Sequence, residues 1–143
     1  MAFSAKTEYG LVSLLELAAI HGQGGVLQVG EIALRQGIPD RYLEQMLTSL
    51  RRAGILRSIR GPKGGYQLAR PPAEIRVVEV VVALEGEAVP RGSGSRDSAE
   101  FSVLLELEGR LEQARRSILE QTTLQQLLDA RERLAQAQSM YFI

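Results

Sequence analysis

Residues 57–70 read RSIRGPKGGYQLAR: two short alternating runs joined by Gly61, Pro62, Lys63, Gly64 and Gly65, with no acidic residue among them. Period-two alternation on either side of a glycine-rich connector predicts a β-hairpin with a long turn. A phosphate-cradling loop fails on the order of its parts. That motif runs G-x-x-x-x-G-K-[ST] from a strand into a helix, whereas here Lys63 precedes the glycine pair and a strand-like run follows. The glycines supply the backbone angles of a turn tip, but they do not explain why Arg60 and Lys63 stand at the same tip.

Upstream, PDRYLEQMLTSLRRAG (39–54) has a helical period. Leu43, Met46, Leu47 and Leu50 form its apolar stripe, Asp40 is the expected N-cap, Arg51 and Arg52 suit its C-terminal dipole, and Gly54 is its stop. The stripe leaves Arg41, Tyr42, Gln45, Ser49 and Arg52 on the other side. Before it, GEIALRQGI (30–38) predicts a short helix, so that two helices meet at the tight turn QGIPD, the helix-turn-helix plan. A hairpin directly after that pair is a wing. Residues 5–20 predict a first helix through Tyr9, Leu11, Val12, Leu15, Ala18 and Ala19, closed by HGQGG (21–25), with His21 in a glycine turn.

Downstream, PPAEIRVVEVVVALEGE (71–87) is ambiguous. Its valines favour strand, while its length and Gly86 favour a short helix, which is the reading adopted. GEAVPRGSGSRDS (86–98) has the composition of a flexible linker. Over 98–121 a helix resumes, with Leu104, Leu107, Leu111, Ala114 and Ile118 stepping by alternate threes and fours between charged flanks. Such a seam fits either an ordinary amphipathic helix on its own core or a dimerisation surface. Thr122 and Thr123 with Gln125 and Gln126 suggest a capping box opening a last helix. The apolar ending MYFI (140–143) is expected to dock against protein. These pieces divide the chain into 1–85, a winged helix-turn-helix; 86–97, a linker; and 98–143, a dimerisation helix and a C-terminal helix.

The 143 residues suffice for one domain with an appendage, and their formal charges balance. The balance hides an asymmetry. Residues 1–72 hold nine Lys or Arg against five Asp or Glu, and 73–143 hold eight against twelve, about +4 and −4. Arg51, Arg52, Arg57, Arg60, Lys63 and Arg70 fall in one stretch with no acid between them. Lys6, Glu8 and Glu16 interrupt the apolar residues of the N-terminus, which therefore reads as a helix and not a signal peptide. No apolar run approaches the roughly 20 residues that span a bilayer, and a cytoplasmic location is expected. There is no cysteine, which removes disulfides, thiolate nucleophiles and cysteine-held metals together. No nucleophile–base–acid set or metal constellation can be assembled, so an enzyme is not expected.

TEYGL in the first helix, IPDRYLEQML with LRRAGIL after it, and above all RSIRGPKGGYQLARPP with VVALEGE behind it resemble the Rrf-two-type winged-helix transcription regulators, the family of IscR, NsrR and CymR. The likeness is close over residues 3–87. It implies a mainly α fold, an N-terminal winged helix-turn-helix with a two-stranded wing plus a long C-terminal dimerisation helix, and a homodimer that binds double-stranded DNA. It also implies that 77–84 is helical. By position, Arg41, Tyr42 and Gln45 would enter the major groove and Arg60 the minor groove. Gln45 can pair bidentately with adenine, and Arg41 with guanine or a phosphate. Arg60 at a hairpin tip suits a narrow, electronegative minor groove. Lys63, Arg52 and Lys6 would meet phosphates, while Tyr42 also reads as a cover for the helix edge. Cluster-binding members hold an iron–sulfur centre with cysteines in the stretch that here reads EAVPRGSGSRDSAEF. Without thiolates that cofactor is not expected. The remaining effectors are a small molecule, a partner protein, or a centre held by ligands such as Asp97, Ser98 or Glu100. A repressor is the leading reading, and a winged-helix protein-interaction adaptor that binds no DNA is the alternative.

Overall fold

The computed structural model describes residues 3–86 and 97–141. Helix α1 (Ala5–His21) starts at Ser4, whose hydroxyl accepts from the Thr7 amide at 3.3 Å. It buries Leu11, Leu14, Leu17 and Ala18. His21 is the last residue of this helix and not part of the turn that follows. Helix α2 (Val29–Gln36) buries Ile32 and Ala33, and its Arg35 reaches back to Glu16 of α1 at 3.3 Å. Helix α3 (Asp40–Arg52) buries the expected stripe of Leu43, Met46, Leu47 and Leu50. Asp40 is not its N-cap. Pro39 holds that place in an extended conformation, its carbonyl accepting from the Leu43 amide at 3.0 Å, and Asp40 is already the first helical residue. There its charge still complements the helix dipole, without a capping hydrogen bond.

Strands β1 (Leu56–Ile59) and β2 (Gly65–Leu68) pair antiparallel, with Leu56 opposite Leu68 and Ile59 opposite Gly65. The first pair is fully buried and roots the hairpin in the core. At the tip Gly61 has φ +105, and the Gly64 amide donates to its carbonyl at 2.9 Å. A Cβ on Gly64 would run into the carbonyl of Ile59, so this turn needs glycine for space as well as for angle. Leu27 adds a single bridge to Tyr66 through two backbone hydrogen bonds of 3.0 and 2.8 Å. The wing is thereby tied, towards the tip end of its ladder, to the connection between α1 and α2.

After a short 3-10 turn (Pro72–Glu74), α4 (Val77–Glu85) is helical despite its valines. Val77, Val80, Val81 and Leu84 recur at three- and four-residue steps and are buried. Their burial, worth roughly 1.5–3 kcal/mol for each side chain, outweighs propensity differences of a few tenths. Helix α5 (Ala99–Gln121) follows, its Ser98 hydroxyl accepting from the Phe101 amide at 3.2 Å. Helix α6 (Leu124–Tyr141) opens with the expected box, narrowed to one pair. The Thr123 amide donates to Gln126 Oε1 at 2.9 Å, and the Gln126 amide donates to Thr123 Oγ1 at 3.2 Å.

The junction between α5 and α6 is anchored in the winged unit. The Val77 amide donates to the Thr122 carbonyl at 2.8 Å and the Leu124 amide to the Ile75 carbonyl at 2.9 Å, an antiparallel bridge centred on Arg76 and Thr123. Leu119 and Leu124 join the core made by α1, α3 and α4. The expected linker lies, for residues 87–96, outside the described residues, as do Phe142 and Ile143 of the apolar ending; Met140 is exposed.

Candidate nucleic-acid interface

At 3.6 residues per turn, Arg41, Gln45, Thr48 and Arg52 of α3 share one line, opposite the buried stripe. Arg41, Gln45 and Arg52 are exposed and Thr48 half-exposed. The sequence reading missed Thr48. Its signal was available as the position seven beyond Arg41, but a mid-helix threonine reads as neutral. Ser49 sits beside the line with its hydroxyl turned back onto the Gln45 carbonyl at 3.2 Å. Tyr42 lies at the opposite edge from Asp40 and Glu44. Its ring is half-exposed and meets Tyr9 of α1 edge-on, with centroids 6.4 Å apart and planes at 88°. It braces α3 against α1. Lys6, three residues before Tyr9 and exposed, falls on the neighbouring part of α1.

The wing supplies the second element. Arg60 and Lys63 are exposed on either side of the tip made by Gly61 and Pro62. The six bases of the acid-free stretch separate once folded. Arg70 is committed internally, donating to Glu79 Oε1 at 2.6 Å and to the Glu74 carbonyl at 3.0 Å. Arg57 donates to Gln67 Oε1, its cross-strand partner, at 2.6 Å, and so keeps its charge but not its freedom. Arg51 shares a flank of α3 with Asp40 and Glu44. Arg41, Arg52, Arg60, Lys63 and Lys6 have no acidic partner within ion-pair distance among the described residues. Unpaired cations on α3 and on a hairpin tip are suited to a polyanion, which they can neutralise without first breaking internal bonds.

Glu79 shows the opposite use of charge. Partial burial works against its ionisation, but the Arg76 amide and the Arg70 guanidinium, with the charge of Arg76 behind them, outweigh that and hold its carboxyl below the usual glutamate range. The pair ties the exit of the wing to the first turn of α4.

A different surface runs along α5. Leu104, Leu107, Leu111, Ala114 and Ile118 are all exposed, and Phe101, Val103 and Leu105 extend the apolar surface. Among the described residues Leu119 is the one buried side chain of this helix. No helix among the described residues is long and apolar enough to cross a membrane. Nor does any group of three His, Cys, Asp or Glu side chains among them stand close enough to hold a metal ion. Ser98 already spends its hydroxyl as a helix cap.

A family model described as "Rrf2: Iron-dependent Transcriptional regulator" matches residues 3–130. The chain is 40% identical over 114 residues to an HTH-type transcriptional regulator IscR of Cereibacter sphaeroides, covering 78% of this chain and 74% of that protein. It is 39% identical over 147 residues to the putative HTH-type transcriptional regulator slr0846 of Synechocystis, covering 100% and 99%. Among solved structures it resembles CymR, the global cysteine regulator of B. subtilis, with a TM-score of 0.78, 34% identity, and coverage of 90% of this chain and 96% of that one. The donor set here does not fit a thiolate-held iron centre, because the chain offers no thiolate.

Proposed function

The chain belongs to the Rrf2 family of transcriptional regulators, DNA-binding proteins and not enzymes, and from that premise we propose that it is a cytoplasmic repressor acting as a homodimer on a palindromic promoter site. The observation that carries this reading is the pairing of two cationic elements with no internal counter-charge: the Arg41–Gln45–Arg52 line of α3 and the Arg60–Lys63 tip of the wing. Gln45 and Arg41 read base edges in the major groove, and Arg60 reads the width of the adjoining minor groove. Lys63, Arg52 and Lys6 hold phosphates and set the register. Tyr42 fixes the angle of α3 through Tyr9.

The exposed seam of α5 supports the homodimer, since a two-fold seam would cover the leucines and present two recognition helices to two half-sites. Repression needs no further part: a dimer seated on promoter DNA excludes other proteins from it. The proposed regulator works without an iron–sulfur cluster, and its effector is a small molecule or a partner protein.

Titration of promoter-sized duplexes against rising salt tests this reading. Affinity should fall steeply, as expected when several phosphates are neutralised, and the bound species should contain two chains. A protein that ignores DNA at low salt would overturn it.

A further inference from the structure

Thr48 lies on the α3 line between Gln45 and Arg52, yet its hydroxyl does not face outward. The hydroxyl donates to the Glu44 carbonyl at 2.8 Å, one turn back along the helix. With that proton spent, the hydroxyl cannot donate to a base acceptor without giving up the bond. The remaining substituent on its Cβ is the Cγ2 methyl. Ser49, the adjacent residue, makes the same back-bond to Gln45 but carries no methyl. Thr48 is thus a methyl group set in a polar and cationic line, where a serine would have served as cap or spacer equally well.

In the major groove the apolar mark on a base pair is the C5-methyl of thymine, and small apolar groups recognise it by contact. We propose that Thr48 is a specificity-determining residue whose Cγ2 methyl packs against a thymine methyl. The inference rests on the DNA-binding reading above and adds a base preference to it. A rise of about 1.5 Å per residue puts Thr48 roughly 10 Å along the axis from Arg41. At about 3.4 Å per base pair, and with the helix inclined to the duplex axis, the thymine stands at most about three pairs from the base that Arg41 meets.

The test uses the full-length protein and a duplex selected by it from a random-sequence pool. Each thymine of the selected half-site is replaced in turn by deoxyuridine, which removes only the C5-methyl. Wild-type protein should lose about fourfold in affinity at one thymine, the worth of one buried methyl, and about 15-fold when both half-sites are changed. Thr48→Ser, which keeps the hydroxyl, should bind the thymine duplex as weakly as wild type binds the uracil duplex, and should lose nothing further on uracil. Thr48→Val, which keeps the methyl and drops the hydroxyl, should retain the discrimination. Retained discrimination in Thr48→Ser, or indifference of wild type at every thymine, would overturn the assignment while leaving DNA binding itself intact. Failure to select any duplex, with no salt-dependent binding, would instead remove the DNA reading on which it rests.

Discussion

The α3–wing surface and the α5 seam are both exposed, and they are exposed for opposite reasons. On α3 the apolar stripe is buried to the last residue, with Leu43, Met46, Leu47 and Leu50 at 0–2% exposure, and apart from the half-exposed ring of Tyr42 only polar and charged groups are left outside. Along α5 the apolar groups themselves are outside, with Leu111 at 62% and Ile118 at 64% exposure. The first surface is complete in water and needs a partner only for its charge. The second leaves apolar area that a second apolar surface must cover before the helix gains from it. One chain therefore carries a polar surface that is stable in water as it stands and an apolar surface that is not.

The largest effect is expected where that distinction is attacked directly. In the proposed homodimer, Leu111→Asp would place two carboxylates in the two-fold seam and remove two leucines, each worth roughly 1.5–3 kcal/mol when buried, so about 3–6 kcal/mol of association. The dimer dissociation constant should rise by on the order of 100-fold or more, read by sedimentation, with helicity unchanged because α1–α4 do not depend on Leu111. Persistence of the dimer would assign the seam another role. The boundary between the two regions is tested by Leu124→Ala. Leu124 has 0% exposure and belongs to the core of the winged unit although it opens α6. Its truncation should cost about 2–5 kcal/mol, lowering the midpoint of urea unfolding. A loss confined to α6, with the winged unit unfolding as before, would mean that the Ile75–Val77 and Thr122–Leu124 bridge does not join them.

On the DNA side the expected losses are smaller. Arg60→Ala should weaken DNA binding by ~1–3 kcal/mol and leave the dimer unaltered. An unchanged affinity would detach the wing tip from the interface and leave the recognition to α3 alone.

What the sequence made legible follows from what each signal depends on. The wing was readable because alternation and a glycine-rich turn are local properties, and the apolar stripe of α3 because it repeats within one helix. The two single-residue bridges, Leu27 with Tyr66 and Arg76 with Thr123, have no period and join segments far apart in the chain. Tyr42 meeting Tyr9 depends on how α1 crosses α3, which no spacing encodes. Arg70 looked like part of the basic patch because its partner, Glu79, stands nine residues on, beyond a 3-10 turn. Asp40 reads as the cap because aspartate is a good one, while the structure starts the helix one residue earlier, after Pro39. The methyl of Thr48 has no signal in the sequence because the side-chain bond to Glu44, which commits the hydroxyl and leaves the methyl as the other group on its Cβ, is a matter of rotamer and not of pattern.

The smallest expected effect concerns the charge that the fold keeps to itself. Arg70 and Glu79 are each about a third exposed, at 35% and 36%, so solvent screens their attraction and the pair is worth only ~0–1 kcal/mol. Its sign is nevertheless fixed. The Arg76 amide and Arg70 outweigh partial burial and lower the carboxyl of Glu79 in the folded chain, so its contribution is whole above the ordinary glutamate value of about 4.3. It disappears as pH falls through the lower folded value, where both states bind the proton alike. Urea unfolding of wild type and Glu79→Gln should therefore differ by a constant small margin near neutrality, and the margin should close on acidification below about pH 4 and shrink in high salt. A margin that persists in acid would mean that Glu79 stabilises the start of α4 by packing or by its neutral hydrogen bonds. The exit of the wing would then be held by shape, and the contrast between charges turned outward on α3 and a charge spent inward at Arg70 would lose its energetic meaning.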